Sequence, residues 1–446
     1  MSQKTRQILF YIFVLIFLTL TPAISFYASG YKLGSGLNLQ KTGILILDSE
    51  PSSAFIYIDG KIQQNFINKV MKSEEGFITT PQKIKNLLPG EYNIKIDKDG
   101  YWPWEKKLTV KPGESTFAED VILFRKNQPM LVENNKLDNN KFLLLDDVLI
   151  SANDDKLSIT KETETIASFA LTEKITDDIK LSPSKNKFIA GHYIYSLKDA
   201  NTKPLNLNDY IGSSAKNIQW GKNDNEIFYL NGSQINMFDI DANKFISITK
   251  DDKLTSYLSK ENYIYFIVNN VSTSELNIFD LNKNEIIKKI SLPLSDYAFK
   301  NPEYKNLNLF DVRHETLYII DPFSPFKPLQ ETINNLKQSF WQDENTLIYA
   351  NDFEIWSFDF GLSKKTLITR IGSKIKTVIP HADKNYILFS TDTDVNILEL
   401  DDREKYNITK VIGLEKINTL SINEDGDIIF FSAKIGEQEG VFKLEI

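Results

Sequence analysis

Cysteine is missing from this chain. That removes disulfides, thiolate nucleophiles and cysteine-ligated zinc, although it fixes no compartment. Histidine is scarce, with His192, His314 and His381 among 446 residues, none in a His-x-His or HExxH spacing. No metal centre is expected from them, and structural roles in turns and at strand starts are. The sequence has no GxSxG elbow, no Walker loop and no GxGxxG, so common hydrolase and nucleotide-binding chemistries have no foothold. No catalytic, cofactor-binding or metal residue is assigned, and the chain is expected not to be an enzyme.

Acidic residues are also missing from the first 47 positions. Residues 8–18 are apolar without interruption, and with the milder stretch 19–28 they reach about 20 residues, or ~30 Å of helix, enough for a bilayer core. Lys4 and Arg6 precede them, favouring an orientation with the C-terminal part outside the cytoplasm. The segment reads as an uncleaved anchor, with a cytoplasmic tip and transmembrane helix at 1–30. A cleaved signal peptide ending near Ala23-Ile24-Ser25 or Ala28-Ser29-Gly30 is the alternative. Either way the rest is exported, to the outer side of the cell membrane. Residues 1–40 hold three of the 52 basic residues and no acid, leaving 49 bases against 60 acids, a net of −11. Such a charge argues against a nucleic-acid partner.

What the chain has in abundance is strand-forming material, including 29 Phe and 19 Tyr. Residues 43–47 and 54–58 read as strands, the second closed by Asp59-Gly60. Further on, Tyr92, Ile94 and Ile96 alternate with polar residues, as in a half-buried strand. Leu108 and Val110 lie on another, and Lys111-Pro112-Gly113-Glu114 turns before 117–124. The string at 43–61, the Thr80-Pro81 pair and L-x-P-G-x-Y-x-I-x-I-x-K-x-G-Y-x-P-W at 87–104 together resemble the PEGA domain. The resemblance covers 41–126 and implies a small extracytoplasmic β-sandwich of bacterial and archaeal surface proteins, with surface or envelope attachment and no catalysis. Two departures stand out: Pro51-Ser52-Ser53-Ala54 replaces the naming tetrapeptide, and 19 residues separate Gly60 from Thr80. Tyr101, Trp102 and Trp104 are the candidate interaction surface, as an aromatic platform for glycan or protein. The competing reading packs them into the module's core and its seam with the next domain.

From 127 onward a unit recurs. Ile218-Gln219-Trp220 leads through a polar turn to Ile227-Phe228-Tyr229; Phe340-Trp341 leads to Leu347-Ile348-Tyr349; Leu420-Ser421-Ile422 leads to Ile428-Ile429-Phe430. The second strands are expected to begin at Val148, Phe188, Ile227, Tyr263, Leu307, Leu347, Tyr386 and Ile428, in steps of 40, 39, 36, 44, 40, 39 and 42. Third strands end in Phe-Asp-Ile, Phe-Asp-Leu and Phe-Asp-Phe at 238–240, 279–281 and 358–360, but in Leu398-Glu399-Leu400 further on. Four short strands per forty residues is the spacing of a β-propeller blade. The architecture is similar to that of WD-repeat proteins, without their Gly-His and Trp-Asp signatures. Eight blades are expected over 127–446, with seven the alternative. The last unit is one strand short, and 129–132 is placed to supply it.

Paired acids at 146–147, 154–155, 177–178, 251–252 and 401–402 suit turns better than catalysis or calcium binding. The string 392–396 lacks the Gly and Glu of an EF-hand loop, and Asn-x-Ser/Thr at 231, 270 and 407 carries little weight. The fold class expected is therefore all-β: an N-terminal transmembrane helix, a small PEGA-like sandwich, then a propeller. The function expected is a non-enzymatic, envelope-anchored binding or structural protein that meets the membrane through its helix and a cell-wall or surface protein or glycan through its propeller. The rival is a propeller-fold enzyme acting on glycans, which acids converging with a His or Arg in the channel would favour.

Overall fold

The computed structural model describes residues 3–34, 38–65, 76–134, 141–161, 164–175, 177–300 and 304–446. It divides into two compact units: 1–127 with 398–411 and Ile446, and 128–397 with 412–445.

The first unit opens with a helix, Gln3–Ala28. Its stretch Thr5–Ala28 has a mean hydropathy of 2.4 and no buried residue in that window, and is long and apolar enough to cross a membrane. Phe10, Phe13, Leu15 and Phe17 point outward on all sides, as expected of a helix whose surroundings are not protein.

Two sheets follow. In the first, Gly43–Glu50 lies between Gln82–Leu87, antiparallel to it, and Ser115–Ile122, parallel to it. In the second the order is Lys61–Ile62, Phe55–Ile58, Gly90–Asp97, Trp104–Val110. Alternate residues of each sheet meet in one core: Leu45 and Leu47 from the first; Ile56, Ile94, Ile96 and Leu108 from the second. The alternation expected at 92–96 holds for Ile94 and Ile96. Tyr92 is only partly buried and sends its hydroxyl to the Leu88 carbonyl, 2.7 Å away. Thr80 has a packing reason to be polar: its buried hydroxyl meets Ser49 Oγ at 2.7 Å and accepts from Ala54 N at 3.1 Å, pinning the turn at 50–54. Most of the long link between Gly60 and Thr80 lies outside the described residues.

The second unit is built on four-stranded antiparallel sheets, eight of them among the described residues once the strands of 398–411 are included. The first runs Lys141–Leu145, Val148–Ala152, Lys156–Lys161, Glu164–Ala170. Later second strands are Lys187–Ala190, Glu226–Asn231, Tyr263–Asn269, Leu307–Asp311, Thr346–Ala350, Tyr386–Ser390 and Ile428–Ile435, each starting within one residue of the position its repeat predicts. First strands adjoin between sheets two and three, three and four, four and five, six and seven, seven and eight, and eight and one, so the series returns on itself. The missing strand of the eighth sheet is supplied by Met130–Asn134, one to two residues beyond the 129–132 expected, paired with Gln438–Glu445. One element had no forewarning in the sequence pattern, a single helical turn at Asn208–Ile211 that buries Ile211.

Turn chemistry explains the recurring residues. In the polar turns between first and second strands, Asn223, Asp343 and Asn423 each accept two backbone N–H groups with one side-chain oxygen. The Asp of the Phe-Asp endings also caps the turn that follows it. Asp239 accepts from Ala242 N, Asp280 from Asn282 N and Lys283 N, and Asp359 from Leu362 N. At the closing strand Gly440 is required sterically, because a Cβ there would lie 2.0 Å from the Glu133 carbonyl oxygen.

Candidate binding cavity

An antiparallel sheet whose first strand is not paired further inward leaves a row of backbone groups to satisfy. Here long amides do it. Gln219, on Lys216–Trp220, donates to the Tyr257 carbonyl at 3.1 Å and accepts from Ser259 N at 3.0 Å; Asn217 also donates to Tyr257 O, and Tyr257 OH returns to Asn217 O at 2.7 Å. Gln338 repeats the device against Lys376 O at 2.5 Å and Val378 N at 2.6 Å. Trp220 Nε1 donates to Lys180 O at 2.9 Å. These partners are about forty residues apart because equivalent positions of successive sheets face each other.

A half-open cavity of about 1150 Å³ is lined by the first strands of sheets one to five together with Glu173, Lys174, Asp177, Asp178, Gly191 and His192. Its charged lining comprises Lys141, Lys174, Lys180 and Lys216 with Glu173, Asp177, Asp178 and His192. Most are already engaged. Lys141 pairs with Asp178 at 2.8 Å, and that hydrogen bond outweighs burial to hold the Asp178 carboxyl below its ordinary value. Lys180 Nζ donates to Ile218 O at 2.7 Å; burial pushes its ammonium down, with Asp177 and Asp178 opposing. His192 stands between two acceptors, Glu173 Oε1 at 3.0 Å from Nδ1 and Ala215 O at 2.9 Å from Nε2. Lys174 pairs with Asp154 at 3.0 Å. Ser256 Oγ is buried without a partner among the described residues. The cavity thus joins acids and a histidine that the sequence pattern left scattered, and their spacing in the chain gave no sign of it.

The other histidines sit apart. His381 is buried, accepts from Asp383 N at Nδ1 (3.0 Å) and donates from Nε2 to Gly426 O (2.8 Å); burial lowers its pKa against those hydrogen bonds. His314 meets Asp311 at 2.8 Å, and Asp311 in turn accepts from Ser295 Oγ at 2.5 Å. No group of three or more potential metal ligands occurs among the described residues.

The three aromatic candidates of the small module are separated by burial. Trp104 is in the core. Tyr101 is half-buried against it with the Arg125 guanidinium 6.0 Å from its ring centre. Trp102 is half-buried, with Lys126 Nζ 5.0 Å from its ring and its Nε1 buried without a partner among the described residues.

Within the first unit lies a second polar centre. Lys106, on Trp104–Val110, is 0 % exposed. It meets Glu399 Oε2 at 3.1 Å, Asp401 Oδ2 at 3.1 Å and the Asp401 carbonyl at 2.8 Å. Trp104 Nε1 donates to both oxygens of Glu399 at 3.1 and 3.2 Å, Asn407 Nδ2 adds a bond at 2.8 Å, and Arg403 forks onto Asp401 at 2.6–2.9 Å. Burial alone would raise the Asp401 carboxyl, but hydrogen bonds from Arg403 and Lys106 prevail and bring it to about 2.

Comparison with known proteins agrees with this architecture. The PEGA domain family profile matches residues 72–121. The computationally designed Ika8 protein is similar in structure, with a TM-score of 0.54 at 11% identity, covering 72% of this chain and 100% of its own. The C-terminal WD40 domain of Sif2 gives 0.50 at 13% identity, covering 71% and 99%. At that identity the likeness shows the fold alone. This is an all-β chain with a PEGA domain, a β-propeller fold of the WD40 type and an N-terminal apolar helix. A search of curated protein sequences gave no significant match.

Proposed function

We propose that this is a non-enzymatic binding protein of the cell envelope, tethered by its N-terminal helix and presenting an eight-bladed propeller to a protein or glycan partner outside the cytoplasm. The observation that carries the reading is the state of the cavity's polar groups. His192, Lys141 and Lys180 are spent on protein partners that hold neighbouring sheets together, and a group so engaged is poorly placed to abstract a proton from a substrate. PEGA domains are usually extracellular, and the apolar helix suits an anchor. Protease added to intact protoplasts should digest the chain beyond 40 and spare the helix. A mature protein starting near Phe26 or Tyr31 would overturn the tether.

A glycan-acting enzyme remains the second reading, because Glu173, Asp177, Asp178 and His192 share one large cavity and glycoside hydrolysis needs two carboxylates. Cell-wall glycan fragments incubated with the full chain discriminate the two. Cleavage abolished by Glu173→Gln or Asp178→Asn would favour the enzyme; binding without cleavage favours the reading above.

A further inference from the structure

We infer that the two short strands after the helix make a second membrane contact, seated in the headgroup layer of the outer leaflet; this rests on the tether proposed above. The placement follows from chain length. Residues 8–28 as helix span about 31 Å, the thickness of a bilayer's hydrocarbon. Phe26 and Tyr27 then stand at its outer boundary, where aromatic side chains collect. The helix stops there: Ser29 N donates to Ser25 O at 2.9 Å, and Gly30 turns the chain with a φ of +81°. Tyr31–Leu33 then pairs antiparallel with Leu39–Lys41. Tyr31 follows Ala28 by three residues, at most about 11 Å of chain, so the strands begin beside the headgroups.

Their register gathers an apolar surface on one face. Leu33 lies directly opposite Leu39 and Tyr31 opposite Lys41, while Lys32 and Gln40 take the other face. Tyr31 meets Phe26 of the helix edge-on, with ring centres 6.2 Å apart. Phe26, Tyr31, Leu33 and Leu39 are therefore continuous, from the helix onto the strands. Phe26 is 49% exposed, Leu33 60% and Leu39 45%, and none of them joins the module's core. An exposed patch that prolongs the surface of a membrane-spanning helix is covered by what covers the helix. The charges agree. Lys32 and Lys41 are exposed, form no ion pair among the described residues, and have no acid before Asp48. Such stems lie along apolar surface and set their ammonium groups among lipid phosphates. The strands are also fixed to the small module. Thr42 is buried and sends both its N–H and its hydroxyl to the Gly30 carbonyl at 2.7 Å, and its own carbonyl accepts from Gly113 N at 2.9 Å. Seating the strands thus holds this end of the module on the membrane.

Because the chain has no cysteine, the variants Leu18→Cys, Leu33→Cys, Leu39→Cys and Ser52→Cys each accept one fluorophore. Ser52 is the water control, in the turn at the far end of Gly43–Glu50, roughly 25 Å away along that strand. The full-length variants are reconstituted in vesicles of phosphatidylcholine and phosphatidylglycerol. Quenchers are a nitroxide on the lipid headgroup, a nitroxide deep in the acyl chain, or iodide in the water. Labels at 33 and 39 should be quenched severalfold more by the headgroup nitroxide than by iodide, the label at 18 by the deep nitroxide, and the label at 52 by iodide alone. Labels at 33 and 39 as open to iodide as the one at 52 would overturn the inference; with 18 still quenched from the lipid, the tether would stand. A label at 18 open to iodide would remove the tether and this contact with it. Shielding of 33 and 39 from all three quenchers would place protein over the patch and also overturn the inference.

Discussion

Replacing Lys106 with Met is the sharpest perturbation the structure offers. Methionine keeps most of the stem volume and removes the charge. Glu399 and Asp401 then remain with a carboxylate each and no ammonium between them. Removing one partner of a buried pair costs about 3–5 kcal/mol, chiefly because the charge left behind is uncompensated. The low end applies here, since Asp401 keeps its Arg403 fork and Glu399 keeps Trp104 Nε1 and Asn407. We expect a loss of about 3 kcal/mol in the guanidinium-unfolding transition that reports on Trp104. Glu399→Gln removes the opposing charge at nearly constant shape. The double variant should be less destabilised than the two singles predict, by at least about 1 kcal/mol, as residues in one network are coupled. A Lys106→Met variant within 1 kcal/mol of wild type, or strict additivity in the cycle, would refute the reasoning.

The Asp401 shift sets a pH window. Its folded value of about 2 lies below the ordinary 3.8, so its contribution is complete above pH 4 and is lost as pH falls through 2. The size is on the order of 2 kcal/mol, and acid unfolding of Asp401→Asn should show a correspondingly flatter dependence below pH 4. Gln219→Leu severs the amide bridge between sheets three and four, leaving Ser259 N to find another partner; a loss of about 1–2 kcal/mol is expected by denaturant titration. Gly440→Ala drives a methyl group into the Glu133 carbonyl. It should cost about 1–3 kcal/mol and speed hydrogen exchange at 130–134 and 438–445, and unchanged exchange there would disprove the closure.

Most of the propeller was legible because each unit repeats the same local solutions. The polar turn needs an Asx oxygen, so Asn223, Asp343 and Asn423 recur; the third strand ends in Asp because the next turn needs a cap; Trp220 and Trp341 recur because the first strand packs there. Such signals are local and periodic. What was not legible is long-range: the parallel pairing of Gly43–Glu50 with Ser115–Ile122, and the gathering of Glu173, Asp178 and His192 on one cavity. Nothing in the spacing of those residues distinguishes an acid that lines a channel from one that caps a turn.

The Lys106 centre is the instructive case, because it was visible as two faults in otherwise regular patterns. The strand Trp104–Val110 alternates buried and exposed residues, with Trp104, Lys106, Leu108 and Val110 all on the buried face. A lysine on that face contradicts the pattern unless an acid meets it. The third-strand ending that should read aromatic-Asp-apolar reads Leu398-Glu399-Leu400 instead, and Glu399, one methylene longer than the turn-capping Asp, bonds Trp104, Lys106 and Asn407. Each fault alone has a dull explanation. A misplaced base and a misplaced acid in one chain are better explained by each other, since the cost of burying either is offset only by the other. Violations of a repeat, read in pairs of opposite charge, therefore locate long-range contacts that periodicity cannot.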